Sequence, residues 1–173
     1  MSLYKQILIA TALFAPSFLQ AQTCLNVVPD SLRLSVEQDN WNIVHPEDLS
    51  EADRRVWKVN HPGFCPGVAT GNFHHNSNPT YVIALIQKTD QSVTEKVIVV
   101  TLKKKKTITE LAVAPTQLPT PYVVWSLPPH RYLGVDGAKV TIPQASFAFE
   151  KLVGTSRQYY FQGSHLKYFL MSY

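Results

Sequence analysis

The chain has 173 residues, 45% of them hydrophobic, which is enough length and apolar content for one domain with a substantial core. A formal charge of +4 is a mild excess, too small to argue for nucleic acid as a partner. Only 16% of residues are charged and 7 are glycine, so the polar density usual in an active site is missing.

Residues 1–21 read as an export signal. Lys5 supplies the positive start, Ile7 to Phe14 forms a short apolar core, and Leu19-Gln-Ala21 resembles a small-residue cleavage site. The apolar run is far shorter than the roughly 20 residues that a membrane-spanning helix needs. A lipoprotein signal ending at Cys24 is the rival reading, but Thr23 stands where such signals carry Gly, Ala or Ser. Cleavage after Ala21 leaves residues 22–173 as a single β-rich domain, periplasmic or secreted. Cys24 and Cys65 both survive in that chain, and two cysteines in an oxidising compartment are most simply one disulfide. Closing a loop of about 40 residues stabilises a fold by about 3–4 kcal/mol in the chain-entropy model.

Between residues 25 and 45, Leu32, Leu34 and Val36 alternate with Arg33 and Ser35, the pattern of a half-buried strand. A helix follows from Pro46, with Glu47 and Asp48 in its first turn and Glu51 facing Arg55 at i,i+4. Leu49, Ala52, Val56 and Trp57 line its predicted apolar face, and Asn60-His-Pro-Gly63 ends it. The acidic residues Glu47, Asp48, Glu51 and Asp53 read as a solvated helix face rather than an acid/base pair, since nothing nearby would desolvate one of them.

Cys65 to Ile86 reads as strand, polar loop, strand. Phe73 closes the first run, His74 to Pro79 supplies the turn, and Tyr81 to Ile86 is an unbroken apolar run of the kind buried on both faces of a sheet. Thr94 to Leu102 is a second strongly apolar strand. Lys103 to Lys106 then makes a hairpin tip that repels edge-to-edge pairing, and Thr107 to Val113 returns. Pro115, Pro119, Pro121, Pro128 and Pro129 mark a long irregular connection, with a short strand at Tyr122 to Trp125. Four more strands are predicted at Lys139 to Ile142, Ser146 to Leu152, Arg157 to Phe161 and Leu166 to Ser172, with turns at Gly154 and Gln162-Gly163. Tyr159, Tyr160, Phe161, Tyr168, Phe169 and Tyr173 make this end aromatic. They serve either as sheet packing or as a binding face.

The hairpin from Cys65 to Ile86 resembles the FG-GAP (VCBS-like) element of small exported bacterial proteins. There an apolar strand runs through a calcium loop into a Tyr/Leu-Ala-rich strand, and Tyr159 to Ser172 is similar to the aromatic ends of such proteins. Phe73 and Tyr81 keep the element's aromatic places. Its acidic places fall on Asn72, His74, Asn76 and Thr80, so the resemblance implies the scaffold with a degenerate metal loop.

His74 and His75 at the loop tip, with His61 or His165, are the candidates for a transition-metal site. Adjacent residues of an extended chain point to opposite sides and no Cys or carboxylate lies at ligand spacing, so no metal or cofactor is assigned. No Gly-x-Ser-x-Gly elbow, His-Glu-x-x-His helix or phosphate-cradling loop is present. The expectation is therefore an α+β, predominantly β domain: an antiparallel sheet or small β-sandwich with one N-terminal helix. Its expected role is that of a non-catalytic binding protein with a protein partner, such as an inhibitor or immunity-type protein for an envelope enzyme or toxin. A cell-envelope hydrolase and a structural accessory of an envelope complex are the alternatives. The candidate binding residues are His74, His75, Asn76, Tyr159, Tyr160 and Tyr168.

Overall fold

The computed structural model describes residues 24–74, 79–88, 93–102, 107–111, 121–152 and 156–171. The predicted signal segment, the lysine tip Lys103–Lys106, Pro115, Pro119, Gly154, Ser172 and Tyr173 lie outside them.

The apolar run Tyr81–Ile86 lies within β3 (Thr80–Lys88), the strand on which the first sheet is assembled. Along one edge β3 pairs antiparallel with β4 (Val93–Thr101) over its whole length, from Thr80 opposite Thr101 to Lys88 opposite Val93. β5 (Thr107–Leu111) flanks β4 in turn. The other edge of β3 is shared by two short strands, β1 (Asn42–Ile43) opposite Leu85 and Ile86, and β2 (Val68–Gly71) opposite Thr80 to Ile83. They meet at Ala84, whose N–H donates to the Gly67 carbonyl (2.9 Å) and whose carbonyl accepts from the Val44 N–H (3.1 Å). Glycine is required at this joint, because a Cβ on Gly67 would lie 2.3 Å from the Val44 carbonyl oxygen.

Both faces of β3 and β4 are buried, as the unbroken apolar runs predict. Ile83, Leu85, Ile98 and Val100 face the N-terminal segment, where Val28, Leu32, Val36 and the Cys24–Cys65 disulfide cover them. This segment corrects the predicted strand, for it forms α1 (Asp30–Val36). Leu32 and Val36 stand one helical turn apart and are buried, whereas Leu34 is 65% exposed. The Leu-x-Leu-x-Val pattern satisfies a period of two and an i,i+4 repeat equally well. The helix is supported by Arg33, which bridges Asp30 at 3.1 Å and Glu37 at 3.5 Å.

Val82, Ala84, Ile86, Val97 and Val99 face the other way, toward a second antiparallel sheet in the order β11-β10-β9-β6. Its strands are β6 (Val123–Leu127), β9 (Ser146–Glu150), β10 (Ser156–Gln162) and β11 (His165–Leu170). Val123, Val124, Phe147, Phe149 and Phe161 complete the core between the sheets, and Phe73 packs edge-on against Phe147 with ring centroids 5.7 Å apart. A further hairpin, β7 (His130–Leu133) with β8 (Lys139–Ile142), ties onto the end of β11: the Val135 N–H donates to the Leu170 carbonyl. The fold is thus a predominantly β α+β sandwich with a helical cover on one sheet. Among the described residues no helix is long and apolar enough to cross a membrane.

The second helix also departs from expectation. Pro46–Asp48 is a separate 3-10 turn, and α2 spans Glu51–Asn60 with Ser50 as its N-cap, its Oγ accepting from the Asp53 N–H at 3.1 Å. Of the predicted apolar face only Leu49 and Trp57 are buried, while Ala52 and Val56 are exposed. One large side chain is enough to dock this helix, because the Trp57 indole N–H also donates to the Phe64 carbonyl at 3.0 Å. Glu51 and Arg55 form the expected exposed pair at 3.6 Å, and Asp48 reaches Lys88 at 2.6 Å.

Two outcomes follow for stability, both read from urea unfolding midpoints. Gly67→Ala is expected to destabilise the fold by about 2–3 kcal/mol, because the added methyl meets backbone that cannot move without breaking the Ala84 joint. Replacing both Cys24 and Cys65 by Ser is expected to destabilise it by about 3–4 kcal/mol. Adding reductant to the wild-type chain should approach the same midpoint, and a midpoint unmoved by either treatment would contradict a structural role for the disulfide.

Candidate functional site

The predicted aromatic end is built by the β10–β11 hairpin. Gln162 and His165 close it as register partners, and Gly163 in the turn has φ +62°, which only glycine adopts without strain. A two-residue turn sets the pairing of everything behind it. Tyr159 lies opposite Tyr168, and Tyr160 opposite Lys167. Directly opposed residues share a face, so Arg157, Tyr159, Phe161, Leu166, Tyr168 and Leu170 project to the core side, and Tyr160 projects to the other. The three candidate tyrosines are therefore not one cluster. Tyr159 and Tyr168 are brought together, with ring centroids 5.6 Å apart, while Tyr160 packs edge-on with Phe169 at 6.2 Å.

On the core side the residues grade from buried to exposed. Phe161 is in the core, Tyr159 stacks on Phe147 at 5.2 Å, and Tyr168 at the margin is 58% exposed. The Arg157 guanidinium lies 5.4 Å from the Tyr168 ring centroid. Burial raises the Tyr159 phenol above its ordinary value, opposed in part by a hydrogen bond from Arg157, and that same bond raises the Arg157 guanidinium. The result is a cation beside two phenol rings, one packed into the core margin and one held from one side and largely exposed. Tyrosine and arginine in this arrangement offer large contact area at low entropy cost.

The opposite face of the hairpin is structural. Tyr132 of β7 packs toward Phe169 and donates its hydroxyl to the Pro128 carbonyl, and burial raises its phenol. Gln158, fully buried there, donates from Nε2 to Ser146 Oγ at 2.7 Å.

The histidine candidates are dispersed. His74 is half-buried against Phe161, with ring centroids 3.8 Å apart, and His75 and Asn76 lie outside the described residues. His165 sits at the β10–β11 turn. His61 caps α2 and lies 4.2 Å from Trp57 and 4.7 Å from Trp125, centroid to centroid. Among the described residues no group of three His, Cys, Asp or Glu side chains is placed to hold a metal ion. Thr80, at one of the FG-GAP-like ligand places, is buried with its hydroxyl 3.3 Å from that of Thr101.

A groove away from this hairpin escaped the sequence reading. The edges of β2 and β6 approach where the Val124 N–H donates to the Pro66 carbonyl at 2.8 Å, and beside this contact lies a groove of about 460 Å³. Asn26, Phe64, Thr70, Trp125 and Ser126 line it, and Phe64 is 63% exposed. The juxtaposition depends on two strands some 55 residues apart (Val68 and Val123), which no local pattern reports.

Comparison with protein-family models, with curated proteins and with solved structures finds no match to the chain.

Burial between the two indoles holds the His61 imidazole below its ordinary value near 6.5. The folded state therefore binds its proton less readily than the unfolded state, and stability falls as pH drops from about 6.5 through the depressed native value. His61→Phe keeps the aromatic stack and removes the proton. Its melting temperature should lose less than the wild type's between about pH 7.5 and pH 5. Equal losses in the two proteins would show that burial at His61 does not shift its titration.

Proposed function

We propose that this chain is an exported, non-catalytic binding protein that engages another protein through the Arg157–Tyr159–Tyr168 face. The observation that carries the reading is Tyr168 itself, a large ring left 58% exposed on an ordered strand while Arg157 and Tyr159 hold it from one side. Isolated exposed tyrosines are ordinary. One backed by a cation and a buried second ring has the composition of an interface anchor. Export is supported by the short apolar leader ahead of Cys24 and by the Cys24–Cys65 disulfide, which belongs to an oxidising compartment. In this reading the FG-GAP-like hairpin is scaffold. Phe73 fills the core, and the role left for the domain is that of an inhibitor or immunity-type protein capping an envelope enzyme or toxin.

The test is capture from envelope and secreted fractions of the source organism by the exported wild-type chain and by an Arg157→Ala/Tyr168→Ala variant. One stoichiometric partner bound by the wild type and weakened about 30-fold or more in the variant is expected, the loss of roughly 2 kcal/mol that an interface anchor supplies. A partner held equally by both chains would move the site elsewhere, and hydrolysis of envelope material by the purified chain would overturn the non-catalytic role.

A further inference from the structure

β11 is an edge strand of the second sheet, and the hydrogen-bond parity of the hairpin shows which of its backbone groups are turned outward. The Met171 N–H donates to the Ser156 carbonyl, so the pairs in step with it bond across β10: Phe169 with Gln158, Lys167 with Tyr160 and His165 with Gln162. Leu166, Tyr168 and Leu170 therefore direct their N–H and carbonyl groups away from β10. The Leu170 carbonyl confirms this, since it accepts from the Val135 N–H of the β7–β8 turn. That turn occupies the far end of the edge only. Among the described residues, no strand pairs with β11 along Leu166–Tyr168.

We propose that the Leu166–Tyr168 edge of β11 takes an acidic, extended peptide segment of the partner as an added antiparallel strand. The site is that of the binding reading above, and the inference rests on that reading. Parity dictates the alternation of the guest. Its residues opposite Leu166 and Tyr168 exchange backbone hydrogen bonds with β11 and lay their side chains beside Tyr168, so they are apolar or aromatic. Its residues opposite His165 and Lys167 lie on the other face, beside the exposed Lys167 ammonium, so they are acidic. Charge supports the same occupant: residues 156–171 carry Arg157 and Lys167 and no carboxylate. Pairing of two copies through this edge would bring together two hairpins that are both cationic, which is how lysine on an edge strand discourages self-association.

The probes are two capped eight-residue peptides, one alternating Val and Glu and one alternating Val and Lys, each with a fluorescent label read by polarisation against the whole exported chain. The Val/Glu peptide should bind at least about tenfold more tightly than the Val/Lys peptide, and more weakly as salt is raised. Methylating the valine amide nitrogens should weaken it by about tenfold or more, whereas methylating those of the glutamates, which point away from β11, should change it little. Lys167→Glu, an exposed position that leaves the fold intact by circular dichroism, should reverse the preference between the two peptides. Equal sensitivity to both methylation patterns, no preference for acid, or a dimer by light scattering that Lys167→Glu abolishes would each overturn strand addition. If the peptides fail while the captured partner still depends on Arg157 and Tyr168, strand addition falls and the binding face stands. If the partner is indifferent to Arg157 and Tyr168, the binding face itself falls.

Discussion

The backbone joint at Ala84 is the constraint on which the remaining architecture depends. One residue of β3 bonds Gly67 through its N–H and Val44 through its carbonyl, so two separate stretches of chain are held to the same strand edge. The described residues from Cys24 to Trp41 are thereby laid across one face of the sheet, and the chain after Gly67 begins as the neighbouring strand. The disulfide sits on the same joint, with both sulfurs 3.8 Å from the Val44 carbonyl oxygen. Covalent closure and backbone hydrogen bonding thus reinforce one point rather than two. The missing side chain of Gly67 lets the segments approach this closely, and the buried rows Ile83–Leu85 and Val82–Ala84–Ile86 pack outward from there.

What could be read in advance followed from how far each pattern discriminates. The apolar runs of β3 and β4 are too long and too uniform for a half-exposed strand, and burial on both faces is what the sheet shows. Leu32, Leu34 and Val36 misled because strand and helix both place Leu32 and Val36 together. The ion pairs of Arg33 with Asp30 and Glu37, at helical spacing, were the sharper signal. At the other end, Gln162-Gly163 marked the turn one residue early: the two-residue loop is Gly163-Ser164, Gln162 pairs with His165, and this register sets Tyr159 opposite Tyr168, where a loop at Gln162-Gly163 would have set it opposite Leu166. The same parity separates Tyr160 from both, a step that composition alone does not suggest. The α2 face failed for a different reason: Trp57 buries a large ring and bonds Phe64, so Ala52 and Val56 are free to face solvent. The Phe64–Trp125 groove and the β7–β8 cover arise from contacts distant in sequence.

The way the sandwich closes explains why one margin of the second sheet is left available. β9 is buried on both sides, by the first sheet on one and by the region under β7–β8 on the other, and β10 continues that burial through Phe161 and Gln158. β11 lies one strand further out, and there Tyr168 reaches the edge of the core. The β7–β8 turn secures only the Leu170–Met171 end. Among the described residues the hairpin is consequently more buried along its inner strand than along its outer one.

Each sheet is drawn from one contiguous part of the chain, the first from residues 42–111 and the second from residues 123–170. The first sheet, its helical cover and the single disulfide therefore all lie ahead of the strands of the second sheet in the chain. Two cysteines admit one pairing, so oxidation has no wrong partner within the chain. The inward row Val82, Ala84, Ile86, Val97 and Val99 nevertheless relies on Phe147, Phe149 and Phe161 of the second sheet for its cover. A chain cut between the two sheets would therefore keep its disulfide and its helical cover yet present this row as a greasy face prone to aggregation.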